Sequence, residues 1–567
     1  MQTTANGPES LTKTLHATSI PVSTDWNAVN WRRVNRQVRN LRRRIFRASQ
    51  AGDHKTVHRL QQLMLRSYSN RLQAVRRVTQ ENQGKDTPGV DKLLVKTPKA
   101  RGKLVDELGS YQPWRALPAK RFYIPKGRGK VRPLGIVSIR DRALQAMVKN
   151  ALEPAWEARF EPTSYGFRPG RSCHDAIAMI HKCARAGTNR PWVVDADITG
   201  AFDNISQEFL LQAIGPVPGR ELIKQWLKAG YLEDGVYHPT PTGTGQGSVI
   251  SPLLLNIALH GMEVALGIQW SSHGDGRTNR TDRALIRYAD DFVVLCRTRE
   301  DAETTIGILR DWLILRGLTL SEEKTRIVHL TQGFDFLGFH VRRYRSSRRK
   351  RGEVLLIKPS RASVQAFRNR LREQWLTLHG QNVGTVVKRL NPLIRGWGNY
   401  FRVSNASETF YDLDNWMFHR QVRYAKRQHP KKGWAWLKQR YWGKLHPQRH
   451  SAWVFGDKGS GMYLWKLRWM PVLRHRLVDG WASPDNPTLT VYWEARAKSK
   501  LRVLTPSRKK LAYRQDGRCP ICGDHLMNGE ELQLHHRTPK HRGGLNTYDN
   551  LALVHLYCHQ QAHRRKA

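Results

Sequence analysis

The sequence predicts a multidomain α+β protein organised around a small antiparallel hairpin that carries acids. Three observations lead there. At 567 residues the chain is several times the ~100–200 residues of a usual domain. Residues 285–295, LIRYADDFVVL, set Asp290 and Asp291 between two apolar runs, and β-branched runs of that length read as strands. Helical periodicity flanks this hairpin on both sides, over 25–78 and 354–450. Aspartate is depleted in strands. Two in this place cost stability, which a role in holding hard divalent cations would explain. Alone, the tetrapeptide 288–291 suits an ordinary turn equally well.

Composition narrows the partners. Lys and Arg total 96 against 46 acids, a formal charge of +50. Such a field repels itself unless a polyanion neutralises it. The 19 Trp, 17 Tyr and 15 Phe are interleaved with the arginines, a mixture suited to stacking on nucleic acid. Cys173, Cys183, Cys296, Cys519, Cys522 and Cys558 do not form a secreted disulfide framework. No apolar run approaches the ~18–20 residues of a membrane span, so no membrane partner is expected. Residues 1–24 are polar, without the apolar core of a secretory signal, and read as a disordered tail. The expected compartment is reducing and contains nucleic acid.

In chain order, Asp25 to Val78 reads as basic helices. Arg32, Arg33, Arg36, Arg39, Arg42, Arg43 and Arg44 form either a solvated face or one turned to RNA. A turn-rich loop follows at 82–91. Residues 121–136 read as strand, glycine turn, strand. That ribbon brings Lys126 and Arg132 together, two cations suited to a triphosphate as well as to a plain basic hairpin. A loop at 164–172 leads into a helix from Cys173. Residues 192–205 read as a strand ending in acids. Asp197 sits at its end and Phe202 lies in the turn into the next helix. Paired with Asp290, Asp197 supplies the second half of a two-metal carboxylate site. The glycine-rich loop 242–252 lets backbone approach a ligand, places Gln246 for a sugar or base, and precedes one apolar helix over 253–265.

Beyond the hairpin, 342–351 reads as a solvated or phosphate-bound basic loop and 354–450 as helices whose Trp and Tyr suit a core. The segment 451–507 carries little signal. The last segment is rich in ligands. Cys519, Cys522, His555 and Cys558 have the spacing of a closed structural zinc site. His559 and His563, four apart, share one helix face.

Taken in order, IPKGRGKVRPLGI, SYGFRPGRS, DADITGAFDNI, TGTGQGSVISP, YADD, LSEEKT and FDFLGF resemble a reverse transcriptase. More closely they resemble the multifunctional proteins encoded within bacterial group II introns. The resemblance implies a right-hand polymerase with fingers and palm, a helical thumb or maturase domain, and a C-terminal ββα-metal HNH domain. Its implied boundaries are 25–110 for the N-terminal helices and fingers, 111–345 for fingers and palm, 355–450 for the thumb, 451–510 for a DNA-binding segment and 511–567 for the nuclease. It makes Asp197 and Asp290 ligands of two Mg²⁺ ions, with Asp291 in support. Lys126 and Arg132 become triphosphate clamps, Phe202 a steric gate against the 2′-hydroxyl, Gln246 a nucleotide or template contact, and Lys324 a proton donor to pyrophosphate. In the HNH segment it makes His536 the general base. His535, His559 and His563 hold one divalent ion, Mg²⁺ or a transition metal. Asn550 orients the base's loop or joins the metal shell.

Two departures stand out. Gly245-Gln246-Gly247-Ser248 replaces the family's usual Pro-Gln-Gly-Gly, and His555-x-x-Cys558 replaces a Cys-x-x-Cys. The implied partners are the intron's own RNA, double-stranded target DNA and dNTPs, in a cytoplasmic, nucleoid-associated ribonucleoprotein. The implied work is splicing, nicking of the target and cDNA synthesis from the nick. Competing readings are a non-enzymatic splicing maturase, a reverse transcriptase of the retron or defence kind, and, for the last segment, a purely structural zinc finger.

Overall fold

The computed structural model describes residues 23–110, 114–127, 130–273, 276–349 and 351–564. Three helices open the chain, Trp31–Gln50, His54–Arg66 and Tyr68–Arg76. Asn30, Asp53 and Ser67 cap them, each accepting a first-turn backbone N–H. The tail expected over 1–24 falls outside the described residues except at its end. There Thr24 donates its backbone N–H to Asp106 (3.0 Å) and is tied into the helical domain. The arginine stripe is also not one uniform face. Arg42 turns inward and pairs with Asp485 (2.7 Å) and Glu153 (2.9 Å).

The central sheet has the order Arg326–His329, Trp192–Asp197, Asp291–Cys296, Ala284–Tyr288, with every neighbouring pair antiparallel. Successive side chains alternate between its faces. Val193, Val293 and Ile286 join a core shared with the thumb helices, whereas Val194, Val294 and Phe292 join one closed by Leu210, Leu254 and Leu309. Burial on both faces explains why these strands read as unbroken apolar runs. A second sheet pairs Ala119–Gly127 with Lys130–Ile136 and extends through Tyr231–Glu233 to Val236–His238.

Three sequence expectations change here. The single helix expected over 253–265 is two, Ser251–Ala258 and Met262–Ala265, broken where Gly261 takes φ +94°, a conformation glycine adopts without strain. The helical reading of 354–450 starts too early. Glu353–Pro359 is a strand along Phe339–Arg345, with Leu355 and Ile357 buried. The four helices Arg361–Thr377, Val383–Phe401, Ser407–Gln428 and Trp434–Tyr441 follow. Their aromatics build core, as in the stack of Trp397 on Phe367 (4.6 Å). The expected basic loop at 342–351 begins inside a strand. Arg343 is buried there and donates to the carbonyls of Ala184, Arg185 and Thr188.

The segment 451–510 threads over the polymerase. His475 and Arg496 both reach the buried Asp175 carboxylate (2.8 and 3.2 Å). The chain ends in an antiparallel pair, Leu532–His536 with Leu551–His555, and the helix Leu556–Arg564. This ββα unit shares one core with the N-terminal helices, Trp31, Leu72 and Val75 packing with Cys519, Leu532 and Val554. Among the described residues no helix is long and apolar enough to cross a membrane.

Candidate active sites and candidate metal centres

The acidic hairpin turns on two residues, Ala289 and Asp290, between the paired ends Tyr288 and Asp291. Ala289 holds φ +60°, a strained value for a residue with a Cβ. The surroundings enforce it. Gly166 lies so close that a Cβ there would sit 2.3 Å from the Ala289 nitrogen. Beneath the turn Arg287 is fully buried and donates to Asn256 Oδ1 (3.2 Å) and to the Ala289 carbonyl (3.4 Å). Burial holds this guanidinium down at about 10. The sequence reading passes over Arg287 and Gly166. Their signals were a charged residue inside an apolar strand and a glycine in the loop 164–172.

The ladder register sets Asp197 directly opposite Asp291, with Asp290 one residue back in the turn. Lost hydration, then the carboxylates of Asp290 and Asp197, push the Asp291 carboxyl up to about 7. Lys324 contacts Asp197 Oδ2, and that hydrogen bond raises the lysine. Three acids and one ammonium thus converge at one sheet edge. A crowded set of hard oxygen donors is the chemistry that suits Mg²⁺.

Around this edge stand the groups expected to meet a nucleotide. Arg132 Nε donates to Gln246 Oε1 (2.7 Å), and Gln246 Nε2 donates to Asp203 Oδ2 (3.2 Å). Asp203 was not singled out from sequence. Burial raises its carboxyl while Arg121 and Arg132 oppose the shift. Phe202 is buried beside Phe167, ring centroids 6.3 Å apart. Its carbonyl accepts the Thr244 N–H (2.7 Å), so the gate candidate and the glycine-rich loop are locked together. Lys126 lies in its strand at a register irregularity opposite Arg132's neighbours; its side chain lies outside the described residues.

In the C-terminal unit Cys519, Cys522, His555 and Cys558 are all buried, with ligand atoms within 4.8 Å of one another. Three thiols and an imidazole at that spacing fit a tetrahedral zinc ion. His535, His559 and His563 make a second such cluster, also within 4.8 Å. Burial first, then the charges of His563 and His536, hold His559 below the usual imidazole range. His536 stands apart from this trio and bonds through Nε2 to Asn546 Oδ1 (2.8 Å). That bond places the proton on Nε2 and leaves Nδ1 as the basic nitrogen. Sequence reading missed Asn546. Of the two roles open to Asn550, the geometry matches loop bracing: its amide bonds Thr538 N (2.7 Å), Thr538 O (3.0 Å) and Leu545 O (2.9 Å).

Four family descriptions match the chain. They are the N-terminal domain of reverse transcriptase over 26–108, reverse transcriptase (RNA-dependent DNA polymerase) over 124–341, the group II intron maturase-specific domain over 364–442, and HNH endonuclease over 519–565. The chain is 35% identical to Protein YkfC of Escherichia coli over 323 residues, 50% of this chain and 82% of that one. It is 33% identical to group II intron-encoded protein LtrA of Lactococcus lactis over 327 residues, 46% of this chain, and spans only about half of LtrA, 54%. Maturase-like protein 1 of Euglena gracilis is 26% identical over 392 residues, 68% of this chain and 79% of that protein. The chain belongs to the reverse transcriptases of the group II intron-encoded family, with a maturase-specific domain and an HNH endonuclease domain behind the polymerase.

Proposed function

We propose that the protein is an RNA-directed DNA polymerase that binds its intron RNA, assists splicing and reverse splicing, nicks target DNA and primes cDNA synthesis from the nick. The observation that carries this reading is the convergence of Asp197, Asp290, Asp291 and Lys324 at one edge of a sheet buried on both faces. Bound there, two Mg²⁺ ions would activate a primer 3′-hydroxyl and stabilise the leaving pyrophosphate. The rigid sheet fixes where Asp197 and Asp290 present their oxygens, with Asp291 beside them. Arg132, with Lys126 from the same ribbon, supplies cations to the triphosphate. Gln246 spans Arg132 and Asp203 and faces the nucleotide. Phe202, clamped by Thr244, closes the space a 2′-hydroxyl would need. Lys324 is within reach to hand a proton to the leaving group.

The proposed division of labour follows the order of the chain. Residues 25–110 and 355–450 grip RNA, 111–345 polymerise, 451–510 contact DNA and 511–567 nick it. In that last unit Cys519, Cys522, His555 and Cys558 hold zinc, and His535, His559 and His563 hold one divalent ion at the scissile phosphate. His536 takes the proton from water through Nδ1. A net charge of +50 makes RNA and DNA the natural partners. Affinity set by ~6–10 phosphate contacts falls ~10³–10⁵-fold between 50 and 200 mM salt.

Purified protein with Mg²⁺ should extend a DNA primer on an RNA template, and Asp290→Ala should abolish extension while leaving nicking intact. His536→Ala should do the reverse. Extension that survives Asp290→Ala would refute the polymerase site, and equal nicking by His536→Ala and wild type would refute the assignment of His536 as the base.

A further inference from the structure

The zinc knuckle is not confined to the C-terminal unit. Arg76, at the end of the third N-terminal helix, is 4% exposed. Its Nη2 donates toward Cys558 Sγ at 3.6 Å and toward Glu530 Oε2 at 3.2 Å. Its Nε pairs with Glu81 (2.9 Å), and its guanidinium lies over the Trp31 ring at 4.6 Å. Glu530 in turn approaches His555 Nδ1 at 3.8 Å. One buried cation from the N-terminal domain therefore touches a thiolate ligand directly and a second ligand through Glu530. Around it, Asn35 donates to Asp524 (2.7 Å), whose carbonyl accepts the Cys519 N–H (2.8 Å). Gln561 donates to the carbonyls of Asn27 and Val29 (2.8 and 3.0 Å).

Electrostatics gives these contacts a direction. Three thiolates outweigh one Zn²⁺ by one negative charge, and the four ligand residues are buried. A buried net charge is costly unless a partner of opposite sign is held against it. Within its own unit the knuckle has Glu530 close by, which is of the wrong sign. The guanidinium of Arg76, shared with Glu81 and Glu530, is the cation held against it, from a helix more than four hundred residues earlier in the chain.

Resting on the zinc reading above, we propose that Arg76 is a positioning residue for the zinc thiolates. Metal occupancy and the packing of the N-terminal helices are then two halves of one equilibrium. Zinc holds Cys519 and Cys558 where the N-terminal helices can pack on them, and Arg76 holds the thiolates where zinc can stay. Loss of zinc would loosen the region 68–81 as well as the knuckle, so a nuclease-domain metal steadies the RNA-gripping end of the protein.

The test uses the full-length chain. Zinc release to a chromogenic chelator is timed for the wild type, Arg76→Met and Arg76→Lys. Hydrogen exchange over 68–81 is measured on the wild type with zinc and after its removal. Loss of such an outer contact typically costs ~10–100-fold in metal affinity. Arg76→Met should release zinc ~10–100-fold faster, Arg76→Lys should fall between, and zinc removal should raise exchange over 68–81. If wild-type protein holds no zinc, the zinc reading itself fails. If zinc is held but Arg76→Met releases it at the wild-type rate, the role of Arg76 is refuted. The exchange measurement needs no variant, and unchanged protection over 68–81 after zinc removal overturns the coupling.

Discussion

Asp197 and Asp291 face each other across the antiparallel ladder of the central sheet, with Asp290 one residue back in the turn. Their carboxylates repel, and the Asp291 carboxyl is pushed up to about 7, by lost hydration first and then by its acidic neighbours. Such repulsion is useful only where cations come to neutralise it. Removing it should therefore separate stability from activity. Asp291→Asn should raise the melting temperature in EDTA while lowering Mg²⁺-dependent extension. Asp197→Asn should lower extension by ~10²–10³-fold or more, the scale of losing one preorganised electrostatic group. A melting temperature that falls in Asp291→Asn would contradict the repulsion argument.

Gln246 accepts from Arg132 and donates to Asp203, so it fixes the guanidinium expected to meet the triphosphate. A hydrogen bond to a charged group is worth ~1.5–3 kcal/mol. Gln246→Ala should raise the KM for dNTP by about 10-fold. Combined with Arg132→Ala, its effect should be less than additive, because both changes remove one linked pair. Single-nucleotide incorporation kinetics checks this. Full additivity would mean that the two side chains act independently.

Asn546 bonds His536 at Nε2 and so selects the nitrogen left to act as base. General base catalysis contributes ~10²–10⁴-fold. His536→Ala should lose nicking on that scale, and Asn546→Ala should lose part of it, with zinc content unchanged in both. Nicking by Asn546→Ala at the wild-type rate would remove the orienting role.

Glu263 is 3% exposed. It accepts from Trp270 Nε1 (2.8 Å) and contacts the Thr163 hydroxyl. Burial, with the Glu161 carboxylate adding to it, pushes Glu263 up to about 7. Between about 4.5 and about 7 the folded protein then binds a proton that the unfolded chain has released, so stability falls as pH rises through this window. The scale is about 3 kcal/mol. Urea midpoints from pH 4.5 to 7.5 should show the decline, and Glu263→Gln should make it shallower, leaving the share that Asp291 contributes. An unchanged pH profile in Glu263→Gln would place the decline elsewhere.

Short-range pattern was enough for much of this molecule. The apolar runs around Asp290 and the Cys-x-x-Cys spacing act within a few residues, so the sequence displays them directly. The same holds for the ordered motifs that tie Asp197, Asp290 and Gln246 to one family. The sequence failed where a tertiary partner, near or far along the chain, decides the outcome. Glu353–Pro359 is a strand because a neighbouring strand completes its hydrogen bonds, and Arg42 and Arg343 turn inward because Asp485 and the carbonyls at 184–188 wait for them.

By itself, then, the sequence determined the kinds of domain and their order along the chain, since those depend on local composition and spacing. Only the tertiary structure decided that Asp197 meets Asp291 across the ladder, that Arg287 and Gly166 brace the acidic turn, and that Arg76 reaches Cys558. Asp197 and Asp291, Gly166 and Ala289, and Arg76 and Cys558 lie dozens to hundreds of positions apart, and burial of two faces against each other is what brings them together.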